Sequence, residues 1–294
     1  MYSRWYTISV VLLWLATMTW LVWKKVLPTL LVGEPPDYRT ILQSREEGAA
    51  ECWHIRWNDQ PVGWSASRLQ RSAQGVTEVH SRVHFERLPL DKMVPKNLQF
   101  LVGSVEGYQL LLDVRSQFIF DPLGGLSWFE VRLNVSGVED VVKARGQITG
   151  GQLHVTVHAG EVTYDHDVPL PGRTMVRDAL SPDARMPGLR KGQSWTVEIY
   201  SPFRPPTEPL ELVHAMVERS ELIEWNGRMV EALLVVFRSD PGSTARESRL
   251  VRGRMWVDSE GLVLRQEVNA FGGTLSFVRM PDDQARRLAD RLDW

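Results

Sequence analysis

Cysteine is almost absent from the chain. Cys52 is the one cysteine among 294 residues, so no internal disulfide can form. A cytosolic protein fits that, and so does an exported bacterial protein that does without disulfides. There is no surplus of basic charge either. The 34 Lys and Arg stand against 36 Asp and Glu, a net charge of −2. Setting aside Arg4, Lys24 and Lys25, which bracket an apolar segment, leaves 31 against 36, or −5. Nothing in that balance points to nucleic acid. The chain also lacks a P-loop, a Rossmann glycine pattern, zinc-ligand spacing and a G-x-S-x-G elbow. Acidic residues are scattered, so no glycosidase-like pair stands out. No residue is therefore assigned a catalytic, cofactor-binding or metal-ligating role, and no cofactor is expected.

Long hydrophobic runs are scarce too, with one exception. Trp5 to Trp23, WYTISVVLLWLATMTWLVW, holds 19 residues without a charge. As a helix it would be about 28 Å long, close to the hydrocarbon thickness of a bilayer. Tryptophans sit at both ends, where interfacial aromatics belong. No small-x-small cleavage site follows the apolar core, so a retained anchor over residues 1–30 is expected rather than a removed signal peptide. Membrane contact is expected through residues 5–23. Arg4 on one side and Lys24-Lys25 on the other nearly balance, so local charge does not orient the helix.

Residues 31–50 read as a linker with a short helix. Gly33-Glu34-Pro35-Pro36 cannot continue a helix, and Asp37 can cap one over Tyr38 to Glu47. That helix is either a membrane-proximal spacer or an element packed on the sheet. From residue 51 the pattern has period two. Val79, Val83 and Phe85 fall on one face of a strand, and His80, Arg82, His84 and Glu86 on the other. Phe129, Val131, Leu133 and Val135 alternate with Glu130, Arg132 and Asn134. Strands with one wet and one packed face make an antiparallel sheet. Asn58-Asp59-Gln60-Pro61, Asn226-Gly227 and Asp258 to Gly261 are turns between strands. Leu233 to Phe237, apolar on both faces, belongs in a central strand. Thr174 to Leu180 reads as a helical turn in a crossing between Pro169 and Gly192. Pro281-Asp282-Asp283 opens a C-terminal helix over 281–294. The fold class is all-β: a large curved antiparallel sheet over residues 51–280, half-barrel or sandwich, with short helices, preceded by one transmembrane helix.

Four stretches carry a resemblance. They are Trp53 to Trp64 (W-x-I-x-W-N-x-Q-P-V-G-W), Gly192 to Phe203 (G-x-S-W-T-V-E-I-Y-S-P-F), Glu221 to Arg228 (E-x-I-E-W-N-G-R) and Trp256 to Glu267 (W-V-D-S-E-G-L-V-L-R-Q-E). Over roughly residues 51–280 the chain resembles the β-rich region that precedes transglutaminase-like domains in bacterial exported proteins. It is also similar to exported β proteins with a half-barrel like the lipoprotein-carrier fold. The resemblance implies an extracytoplasmic, sheet-rich domain. It carries over no catalytic residue, because the transglutaminase-like domain with its Cys-His-Asp centre is missing.

Candidate chemistry is weighed against packing. Cys52 begins a strand with no helix N-terminus beside it to lower its pKa, so a packed cysteine is expected. His80 and His84 share a strand face, as do His154 and His158, but four residues along a strand is about 13 Å, too far for one ion. Asp165-His166-Asp167 reads as a solvated turn. Beyond the anchor lie Trp53, Trp57, Trp64, Trp128, Trp195, Trp225, Trp256 and Trp294, which either line a lipid or glycan groove or pack the core.

The expected function is a membrane-anchored, extracytoplasmic, non-enzymatic binding or scaffold module, with a lipid or a protein as its partner. The alternatives are a hydrolase with a His and acid site on the polar face, or an accessory subunit to a transglutaminase-like protein. An N-terminal anchor preceded by four residues, and the resemblance to exported domains, set the expected topology. The N-terminus is cytoplasmic and the β domain lies outside the cytoplasmic membrane.

Overall fold

Alternating burial along the strands is the first consequence of the period-two pattern. In the computed structural model, which describes residues 4–22, 38–88, 110–170, 174–176, 181–200, 210–239, 250–270 and 272–294, fifteen strands form one sheet. They are β1 (Ala50–Trp57), β2 (Gln60–Arg71), β3 (Thr77–Leu88), β4 (Leu110–Phe120), β5 (Leu126–Val135), β6 (Val138–Thr149), β7 (Gln152–Ala159) and β8 (Val162–Pro169). The second half holds β9 (Met175–Val176), β10 (Ser194–Tyr200), β11 (Leu210–Trp225), β12 (Arg228–Ser239), β13 (Val251–Val257), β14 (Val263–Ala270) and β15 (Gly273–Arg279). The described helices are α1 (Arg4–Leu21), α2 (Tyr38–Ser44) and α3 (Asp282–Ala289).

The strands follow one another as a meander, and β1 pairs with β15, so the order runs from β8 down to β1 and on from β15 to β9. All pairings are antiparallel except β9 with β10. The expected turns are present. Asn58 and Asp59 both take positive φ, 45° and 66°, and so do Asn226 and Gly227, 50° and 70°. These values match the turn whose twist suits a two-residue hairpin.

The sheet is rolled. Fifteen strands about 4.8 Å apart would stand about 67 Å from edge to edge if flat. Yet the chain passes from Pro169, ending β8 at one edge, to Met175, opening β9 at the other, a reach of at most about 20 Å. The core agrees: the rings of Phe129 in β5 and Tyr200 in β10 lie 6.4 Å apart, although ten strand spacings separate them along the sheet. One hydrophobic cluster fills the concave side, with Trp53, Phe85, Phe129, Phe277, Ile55 and Leu69 among its fully buried members.

Three expectations change. Asp165-His166-Asp167, expected as a solvated turn, lies within β8, where these residues pair with Thr156, Val155 and His154 of β7. The helical turn expected at Thr174 to Leu180 is not formed at Met175 and Val176. They are strand β9, buried and paired with Ile199 and Tyr200. Tertiary pairing outweighs local pattern there; residues 177–180 lie outside those described. The helix expected over Tyr38 to Glu47 ends at Ser44. It packs on the sheet through buried Ile41 and Leu42, and Asp37 lies outside the described residues.

The N-terminal run is helical over Arg4–Leu21, with apolar residues on every side. Every side chain from Val10 to Val22 is exposed, so none of them is packed on the sheet. Among the described residues no helix is long and apolar enough to cross a membrane. Arg4, Thr7, Thr17 and Thr19 dilute the hydropathy of this one, and Trp23, Lys24 and Lys25 lie outside the described residues.

Candidate functional site

Cys52 sits on the convex side of β1, buried against α3 beside Met280 and Ala285. Burial pushes its thiol up to about 12; Arg279 works against that and Glu51 adds to it. A thiol at that value is not a nucleophile at neutral pH.

Each of the seven histidines has its own neighbour. His80 meets Glu78 at 3.3 Å, His84 meets Asp113 at 3.2 Å, and His154 meets Asp167 at 2.6 Å. His158 meets Thr163 at 2.9 Å, His54 meets Gln284 at 3.4 Å, and His214 meets Thr196 at 3.3 Å. His166 stacks on Tyr164. The hydrogen bond to Asp167 raises the pKa of His154. Among the described residues no three His, Cys, Asp or Glu side chains are grouped to hold a metal ion. His80–Glu78, His84–Asp113 and His154–Asp167 are the His–acid pairs a hydrolase would use, but among the described residues their imidazoles show no hydrogen bond to a hydroxyl or thiol.

Four of the eight tryptophans are core: Trp53, Trp57, Trp195 and Trp256. Trp64, Trp128, Trp225 and Trp294 are half-buried. The concave side also holds a buried ionic triad. Glu51 of β1 takes Arg45, just after α2, at 2.6 Å and Arg279 of β15 at 3.5 Å. Arg45 also donates to the Ser67 hydroxyl, and Arg279 to the Ala184 carbonyl while lying over the Trp53 ring. Burial lowers the pKa of Arg279 and the Glu51 charge opposes it. The triad ties α2 and the 181–192 segment to the seam between β1 and β15. A small recess of about 110 Å³ beside it, lined by Ile41, Val79, Phe118 and Ser181, is the space left there.

The convex side of β1–β6 is where open space and polar groups meet. A recess of about 600 Å³ lies between α3 and β1–β3, lined by His54, Trp64, Glu86, Gln284, Arg287 and Arg291. A second, of about 250 Å³, opens over β3–β5 beneath Leu292, Asp293 and Trp294. Its floor is made by strand register. Arg82 of β3 stands opposite Arg115 of β4, Arg115 opposite Arg132 of β5, and Arg132 opposite Lys143 of β6.

Two carboxylates hold this row. Asp113 accepts from Arg82 Nε at 2.8 Å and Arg115 Nε at 3.3 Å. Glu130 accepts from Nε of Arg132 and of Arg145, with Lys143 Nζ at 3.6 Å. Burial works to raise the Glu130 carboxyl. The hydrogen bonds from Arg145 and Arg132 and the charges of Arg132 and Lys143 outweigh it, and the carboxyl is held below its usual range. Arg132 is raised in turn, chiefly by its bond to Glu130. Alternation in the sequence put Arg82, Glu130 and Arg132 on wet faces. It did not show that the arginines face one another, because register between strands is not written in any one strand.

No protein-family model matches the chain, and no curated protein matches it significantly. Solved structures similar to it include a β-barrel-like protein of the unknown-function domain DUF1849 from Brucella abortus. That protein is 10% identical, with a TM-score of 0.48 over 79% of this chain and 95% of the other. A DUF1089 family protein from Pseudomonas aeruginosa is 16% identical, with a TM-score of 0.35 over 68% and 87%. The hypothetical lipoprotein YmcC from Escherichia coli is 8% identical, with a TM-score of 0.26 over 81% and 89%. None of the three is named as a transglutaminase-associated protein, and no function is carried over from them.

Proposed function

We propose that the chain is a membrane-anchored, extracytoplasmic binding or scaffold module, with α1 as the anchor and the convex side of β1–β6 as the binding surface. The observation that carries the anchor is the state of α1. A helix that is apolar all round is stable when buried in a protein core or in a bilayer, and here residues 10–22 are covered by nothing in the chain. The charged residue at its start, Arg4, and the Lys24-Lys25 pair beyond it are suited to the two interfaces. The binding surface is placed on the convex side because aromatic and aliphatic side chains fill the concave one.

Membrane fractionation tests the anchor. The full chain is expected to stay with membranes after a high-salt wash, and a chain lacking residues 1–30 to appear in the supernatant. A truncated chain that still sediments would refute the single anchor. Topology is read from fusions after Trp294. Alkaline phosphatase should be active and green fluorescent protein dark, and the reverse pair would place the β domain in the cytoplasm.

A further inference from the structure

The arginine row on β3–β6 has a cost that the fold does not require. Like charges directly opposite on neighbouring strands are destabilising, yet Arg82, Arg115, Arg132 and Lys143 stand in one line across four strands. With Arg145, five cations face four carboxylates: Asp113, Glu130 and Asp140, which pair with them, and Asp293, which lines the recess; a local excess of +1 remains on a chain whose net charge is −2. Asp113 and Glu130 engage each arginine through Nε. The Arg82 guanidinium also lies over the Trp64 ring, 5.9 Å from its centroid, whereas the contacts of Arg115, Arg132 and Arg145 among the described residues are made through Nε. The guanidinium groups of Arg115 and Arg132 are thus held by one edge, with the forked ends turned to other partners. That is a preorganised arrangement for an oxyanion, because little side-chain freedom remains to be lost on binding.

We propose that Arg82, Arg115 and Arg132, the part of this row that lines the recess of about 250 Å³, form a binding site for a phosphate group. Arg115 and Arg132 supply the forks and Arg82 a further charge in the recess, with Lys143 and Arg145 beyond its lining. Adjacent strands lie about 4.8 Å apart, so side chains as long as arginine from three strands can converge on one tetrahedral group. A carboxylate is satisfied by a single fork, whereas a phosphate presents enough oxygens to use several. Gln117 and His80 line the same recess and offer further polar atoms; Glu130, already held by Arg132 and Arg145, and Asp293 line it too. The phosphate is either free or carried by a lipid headgroup. The site gives the binding module a ligand chemistry, but it does not need α1 to be an anchor, so the two readings fail separately.

The test uses the full chain in a neutral detergent, followed by thermal unfolding and by broadening of the ³¹P signal. Sodium phosphate is titrated against sodium chloride at equal ionic strength. Saturable stabilisation and line broadening by phosphate alone are expected. R115Q and R132Q should each weaken the apparent affinity by about tenfold or more, the worth of a charge-assisted hydrogen bond. R132K keeps the charge but loses the fork, and should weaken it too. R228Q, at the β11–β12 turn, should leave it unchanged. Dihexanoylphosphatidic acid and dihexanoylphosphatidylcholine separate the sources. Tighter binding of the former than of inorganic phosphate, with none of the latter, identifies a lipid headgroup; equal binding identifies the free anion. No response beyond that of chloride, or a response that survives in R115Q, R132Q and R132K alike, overturns the proposal.

Discussion

Glu130 shows how one side chain can serve fold and function together. It lies on the convex side of the sheet, yet its carboxylate is nearly buried because Arg132, Arg145 and Lys143 close over it. Its depressed pKa makes it a stabilising group with a definite pH window. The folded state binds the proton less readily than the unfolded state, so the contribution is fully present above the unfolded value near 4.5 and is lost as pH falls through the lower, folded value. Glu130→Gln should therefore cost about 1–3 kcal/mol at pH 7, the worth of a hydrogen bond to a charged group. The gap between variant and parent should begin to narrow near pH 4.5 and close once pH has fallen through the lower, folded value. Denaturant unfolding across that range measures it, and a gap independent of pH would show that Glu130 acts by shape alone. Period-two alternation placed this residue on a wet face. Its burial was not legible, because the covering cations come from β5 and β6 together and meet only through register.

Elements were legible where backbone conformation is encoded in residue type. Asn, Asp and Gly tolerate positive φ, and the hairpins stand at Asn226-Gly227, as expected, and at Asn58-Asp59, the first half of the turn expected over Asn58 to Pro61. Pro281 followed by two acids opens α3 as the helix dipole favours. Strand β9 was not legible: two residues carry no periodicity, and only the neighbour β10 makes them a strand. The pairing of β5 with β6 holds a feature of the same non-local kind. Gly146 of β6 stands opposite Phe129 of β5, and the Phe129 ring occupies the space a side chain at 146 would take. A Cβ there would lie 2.1 Å from the ring. Phe129 in turn packs on Phe118 and Tyr200, so the ring has little room to yield. Gly146→Ala should thus destabilise by about 1–3 kcal/mol through overpacking. The double variant Gly146→Ala/Phe129→Leu should recover part of the loss relative to the sum of the singles. Strict additivity in a thermal or denaturant double-mutant cycle would deny the contact.

At the scale of the whole molecule the decisive pairing is the one between the first strand and the last. The registers Trp53–Arg279, Ile55–Phe277 and Trp57–Leu275 join the two halves of the meander. The ionic triad of Arg45, Glu51 and Arg279 is built across the same seam. The sequence showed strands throughout and a crossing between Pro169 and Gly192, but a long-range pairing between residues more than 200 apart leaves no local trace. Neither half can bury its share of the core alone. Separation would expose Trp53, Ile55 and Phe277, each worth about 1.5–3 kcal/mol of burial, and would leave β1 and β15 as apolar edges prone to pairing with other chains. A protease site placed between Pro169 and Met175 tests this without disturbing either half. After cleavage the two fragments should co-elute in size-exclusion chromatography and unfold in a single transition near that of the intact chain. Expressed separately, residues 50–169 and 181–294 should aggregate or remain unfolded, and mixing them from denaturant should restore the β-sheet signal. Two fragments that each unfold cooperatively on their own would mean that the seam is a contact between two domains and not the closing pair of one rolled sheet.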